Sequence, residues 1–197
     1  MRRVRFIMWV AVAIAGLVTL TLALRPAAAP QASTSTTMAR LGGPFTLTGS
    51  DGQPFSSARL AGRPYAIFFG FTHCPDVCPT TLARMARLRK ALGRGDGAFD
   101  ILFVSVDPER DKPADMARYT GLFGTPIIAL TGSPDAIDRV RKLYGIYAKK
   151  VPISDGNYSV DHTATVLIFD RRGALTSTIA PDEGDGPALE KLKALTA

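Results

Sequence analysis

Two cysteines, Cys74 and Cys78, and one distant histidine, His162, carry the chemistry open to this chain. The 197 residues hold no further cysteine and only one other histidine, His73. Both cysteines lie in FTHCPDVCPTT, after an apolar run and before an amphipathic one. Side chains at i and i+4 of a helix are about 5–6 Å apart at Cβ, a gap that a soft cation can bridge. A disulfide wants Cβ atoms about 3.5–4.5 Å apart, so bond formation needs the non-helical geometry that Pro75 allows. The pair can therefore cycle between dithiol and disulfide. A static disulfide in an exported protein is the rival reading, weakened because so short a loop adds little closure stabilisation. Pro79 fits the first position of a helix. That would place Cys78 at the N-cap, where free N–H groups and the helix dipole favour a thiolate.

A lone histidine is more often a satisfied polar residue than a ligand, and it is the position of His162 that singles it out. It stands directly before the apolar run TATVLIF. If that run and the one preceding the cysteines form neighbouring strands, two sulfurs and one nitrogen converge. Such donors suit copper or zinc far better than magnesium or calcium. Three of them fit low-coordinate Cu(I), whereas structural zinc usually takes four; catalytic zinc with three ligands and water stays open. The five methionines, Met1, Met8, Met38, Met85 and Met116, are too scattered for a methionine-rich copper loop. His73 adjoins Cys74 but points away from it on an extended backbone. Asp161 can orient His162 or cap a turn, and Asp76 can serve docking, thiolate charge or the start of a helix. Asp107 to Asp111 suggest loop-anchoring hydrogen bonds.

The elements that must position these residues follow from periodicity. Tyr65–Phe71, Ile101–Val106, Ile127–Leu130 and Thr165–Phe169 are near-continuous apolar runs, as expected of strands covered on both faces. Between them, Pro79–Leu92, Pro113–Phe123 and Pro134–Tyr144 have helical spacing, the last with Ser133 as cap and Pro134 in the first turn. Phe45–Phe55 reads as a hairpin, and Ala174–Ile179 as a strand turned back on Thr165–Phe169. Pro187–Leu195 closes the chain as a helix. Ile146–Val160 looks like an inserted loop or hairpin before the histidine-bearing strand. Alternation of this kind implies an α/β fold, a sheet with helices on both faces.

The N-terminus follows different physics. Phe6–Leu24 is a run of 19 uncharged, mainly apolar residues, long enough at about 1.5 Å per residue to cross a bilayer core of about 30 Å. Arg2, Arg3 and Arg5 precede it, which puts the N-terminus in the cytoplasm and the rest outside. A retained signal anchor and a cleaved signal peptide both fit; the run exceeds an ordinary signal core, which favours the anchor. The chain then divides into residues 1–25, a transmembrane helix; 26–43, a flexible linker; and 44–197, one domain. The formal charge of +7 falls to +3 once those arginines and Arg25 are set aside. With no basic, aromatic-laced stretch, nucleic-acid binding is not expected.

GFTHCPDVCPTT from Gly70, VSVDPERDKP from Val104 and VDHTATVLIFD from Val160 together resemble the Sco/SenC family of membrane-tethered copper proteins. The resemblance runs from about Gly42 to the C-terminus. It implies a thioredoxin-like fold and a copper site, Cu(I) or Cu(II), on Cys74, Cys78 and His162. It also implies a part in assembling the copper site of cytochrome c oxidase from the periplasmic side of a bacterial inner membrane. The partners would be the oxidase subunit holding that site and other periplasmic copper chaperones. The alternative is a thiol-disulfide reductase acting on the cysteines of that subunit, with Cys74 and Cys78 as the redox pair. Unlike thioredoxin, the chain has three residues between its cysteines and no tryptophan beside them, which disfavours a general oxidoreductase.

Overall fold

The computed structural model describes residues 41–197. The membrane segment and most of the linker expected from the sequence lie outside them. Among the described residues no helix is long and apolar enough to cross a membrane.

The strands are β1 (Thr46–Gly49), β2 (Pro54–Ser56), β3 (Tyr65–Gly70), β4 (Asp100–Ser105), β5 (Ile128–Thr131), β6 (Ala148–Pro152), β7 (Tyr158–His162), β8 (Val166–Phe169) and β9 (Leu175–Ile179). The helices are α1 (Val77–Ala91), α2 (Pro113–Thr120), α3 (Pro134–Leu143) and α4 (Asp185–Leu195). Seven strands form one mixed sheet in the order β2-β1-β5-β4-β3-β8-β9. β3 runs parallel to β4, Tyr65 opposite Asp100, and antiparallel to β8, Tyr65 opposite Phe169. Every residue of β3 and β8 is buried, so both faces of the sheet centre are covered, as their unbroken apolar sequences demand. Phe68, Phe69, Phe103 and Phe169 fill that centre.

The expected elements form, with their ends displaced for physical reasons. Ser133 accepts from the Ala136 amide and Pro134 opens α3 as anticipated. α2 stops at Thr120 and tightens into a 3-10 turn, Gly121–Phe123. α1 begins at Val77 instead of Pro79, so Cys78 lies inside the first turn and is not its cap. A proline tolerates any of the first few helical positions because those N–H groups lack intrahelical acceptors anyway.

The inserted segment is a hairpin. β6 and β7 pair antiparallel, Ala148 opposite His162, as a two-stranded ribbon outside the main sheet. His162 therefore ends β7; it does not directly precede β8, which starts at Val166.

Candidate metal centre

β3 delivers the chain into the sulfur-bearing loop at its C-terminal end, and antiparallel β8 starts at the same rim, so the turn after β7 brings His162 there. One donor atom from each of Cys74, Cys78 and His162 lies within 4.8 Å of the others. The Cys78 Sγ and His162 Nε2 are 3.5 Å apart. Cys78 is wholly buried, Cys74 is 9% exposed and His162 half-buried. Both cysteines are free thiols.

The sulfurs differ in character. The Cys78 amide, in the first turn of α1, donates to the Cys74 Sγ at 3.4 Å. The Cys78 thiol, then the His162 side chain and the Asp76 and Cys78 backbone N–H groups, lower the pKa of Cys74 to about 4 against the opposing pull of burial. The neighbouring Cys74 sulfur and burial both push Cys78 upward. The thiolate expected at Cys78 thus sits on Cys74, because α1 starts earlier than the sequence suggests and aims its free amide at the preceding cysteine.

His162 is oriented by its own backbone. Nδ1 lies 3.1 Å from the Thr163 carbonyl, which can only accept. In a neutral imidazole this bond favours the tautomer with the proton on Nδ1, which turns the Nε2 lone pair toward the Cys78 sulfur. The rings of Phe68 and Phe71 meet the imidazole edge-on at centroid distances of 6.0 and 5.8 Å. Asp161 points the opposite way along β7, exposed, as strand alternation requires, and does not orient the imidazole.

Gly70 is a further site residue. A Cβ there would stand 2.7 Å from the Cys78 Sγ and 2.9 Å from the Phe103 ring. A glycine closing an apolar strand just before the cysteines is a readable sign of close approach. Asp111, completely buried, accepts from the Thr72 amide at 3.2 Å, the Thr72 hydroxyl at 2.6 Å and the Ser105 hydroxyl at 2.6 Å, pinning the cysteine loop. Asp107 is also fully buried, facing Arg110 and Tyr158. These are the anchoring bonds suggested by the sequence. His73 is exposed, directs Nδ1 at the Thr72 hydroxyl 3.1 Å away, and stays outside the donor cluster. Asp76 caps α1 by position only, without a side-chain bond to a helix amide.

Two polarisable sulfurs and one unprotonated nitrogen, under aromatic rings, make a small, soft, largely dry donor set. They suit a monovalent copper ion and offer too few ligands for structural zinc. Fold and site together define a thioredoxin-like domain in which two thiols and one imidazole form a donor cluster that could hold a metal ion.

The SCO1/SenC family model matches residues 33–197, and the chain belongs to that family. It is 42% identical to Bradyrhizobium japonicum ScoI, solved with copper bound, at a TM-score of 0.72 covering 79% of this chain and 99% of that one. Yeast Sco1, also solved with copper bound, is 30% identical at a TM-score of 0.72, over 79% and 87% of the two chains. The mitochondrial SCO1 homolog 1 of Arabidopsis thaliana is 37% identical over 66% of this chain and 40% of its own. The chain spans about half the length of the curated relatives it matches.

Proposed function

We propose that this protein is a copper carrier. Cys74, Cys78 and His162 hold the ion as cargo and release it by ligand exchange to the copper-site subunit of cytochrome c oxidase during assembly. The observation that carries this reading is the meeting of two sulfurs and one imidazole nitrogen within 4.8 Å at one rim of the sheet. The copper-bound relatives support it. We further propose that residues 1–25 tether the domain on the periplasmic side of a bacterial inner membrane, where other periplasmic copper chaperones would load it. The motive is the 19-residue apolar run behind three arginines.

Titration of the reduced chain with Cu(I) tests the carrier. One equivalent should bind, with loss on replacing both cysteines and weakening in His162→Ala. Stoichiometric binding that survives removal of both thiols overturns the reading. Delivery is tested by the copper content of the oxidase in cells lacking the protein, which should fall.

A second reading, a thiol-disulfide reductase for the oxidase cysteines, draws on the thiolate of Cys74 beside the thiol of Cys78. It requires both sulfurs and not His162. A measured reduction potential above that of the partner's disulfide excludes it.

A further inference from the structure

The sequence motif DPERD, unused by the copper reading, occupies the loop after β4. That loop touches both halves of the metal centre. On one side Asp111 grips Thr72, two residues before Cys74, through the amide and the hydroxyl. On the other side the loop grips β7, which ends in His162. The Tyr158 hydroxyl donates to the Asp107 carboxylate at 2.8 Å, and Arg110 donates to the Tyr158 carbonyl at 3.0 Å. Arg110 is itself fixed by Asp107 at 2.5 Å, and its guanidinium lies 3.8 Å from the Tyr158 ring centroid.

These contacts bear on His162 because β6 and β7 form no ladder with the main sheet. A two-stranded ribbon is at best marginally stable by itself. Apart from Val160, which packs into the core, its position is set by side chains reaching from outside: Arg110 and Asp107 onto Tyr158, Glu109 to Lys150 at 2.5 Å, and Arg141 of α3 to the Ala148 carbonyl at 2.8 Å. The Arg110 guanidinium also lies 5.8 Å from the centroid of Phe71, the ring that meets His162 edge-on. One short loop thus references the sulfur donors and the nitrogen donor to the same buried end of β4.

We propose that the loop from Val106 to Lys112 sets the reach between sulfurs and nitrogen, with Arg110 and Tyr158 as positioning residues for His162. The role is defined toward copper and rests on the carrier reading. Tyr158→Phe removes one hydroxyl and keeps the ring; Arg110→Lys keeps the charge but loses the planar fork that both stacks and bonds. Each variant is made in the full chain, alone and combined with His162→Ala. Cu(I) affinity is read by competition with a bathocuproine chelator, the Cu(II) form by its thiolate charge-transfer band, and folding by melting of the metal-free protein.

Each single variant should weaken Cu(I) binding roughly tenfold, as loss of groups that orient a ligand does, and move the absorption band toward that of His162→Ala. Combined with His162→Ala, neither should add more than about twofold, because both act through the same imidazole. Equal losses with and without His162 would mean ordinary support of the fold and overturn the proposal. So would wild-type affinity and spectrum in Tyr158→Phe, the variant that carries the test should Arg110→Lys fail to fold. If His162→Ala alone leaves affinity and spectrum unchanged, the ligand assignment fails and the proposal falls with it. If His162→Ala weakens binding while Tyr158→Phe does not, positioning alone is refuted.

Discussion

Gly70→Ala is the sharpest probe of how the sulfur pit is built. Gly70 does not have the left-handed backbone found at many of the chain's other glycines, so alanine meets no conformational strain and the effect on the folded state is steric. The added Cβ would lie 2.7 Å from the Cys78 Sγ, 2.9 Å from Phe103 Cε2 and 3.1 Å from Phe68 Cε1. Ordinary contact needs about 3.5–4.0 Å, so the sulfur must retreat by about 1 Å into a core with no slack. Overpacking of this kind costs about 1–3 kcal/mol, from which about 0.4–1 kcal/mol returns through the stiffer unfolded chain. The net of about 0.6–2 kcal/mol, at about 2–4 °C per kcal/mol for a domain of this size, should lower the melting temperature by roughly 1–8 °C. Cu(I) affinity should drop roughly tenfold or more, since a ligand displaced by an ångström no longer meets the other two. The assays are thermal unfolding of the reduced metal-free protein and chelator competition. Gly97→Ala, with nothing within 4 Å of the added atom, is the control and should change neither. A Gly70→Ala protein that melts and binds copper like the parent refutes the claim that backbone approach shapes the site.

Because the pKa of Cys74 is lowered, its charged form persists as pH falls and is lost only through about 4. Iodoacetamide should therefore label Cys74 in the reduced protein at pH 6 nearly as fast as at pH 8, with Cys78 inert; a rate falling tenfold per unit below pH 9, as for an ordinary thiol, contradicts this. Asp111→Ala leaves the Thr72 amide and two hydroxyls without their acceptor and should destabilise the domain by at least about 2 kcal/mol in urea unfolding; a smaller loss means the cysteine loop is held elsewhere. His73→Asn, changing an exposed ring outside the donor cluster, should leave Cu(I) affinity within about twofold; a tenfold loss makes it a ligand.

The legible parts of the molecule were those with local signals. The short, β-rich apolar runs of β3, β4 and β8 have the pattern of strands covered on both sides, and Ser133 with Pro134 has that of a helix start. Pro79 satisfies more than one early helical position, so the sequence alone starts α1 two residues late and assigns to Cys78 the thiolate that the structure puts on Cys74. Pairing of β3 with β8 puts His162 at the right rim, yet its own strand belongs to a ribbon held against the domain by contacts with Asp107 and Arg110, some fifty residues away in sequence. A buried carboxylate such as Asp111 leaves no periodic trace, because its partners come from the cysteine loop, about forty residues away in sequence, and from the end of β4.

On the carrier reading proposed above, the unequal exposure of the three donors implies an order of departure for the bound ion. Cys78 is sealed against the floor of the sheet, while Cys74 and His162 border solvent. An incoming sulfur can approach only from the outer side, so it displaces an outer donor first and meets the inner one last. Cys78 would then be the final tether, holding the ion until the acceptor has gripped it. A handover in that sequence would never pass through a free ion, keeping the metal out of the surrounding water.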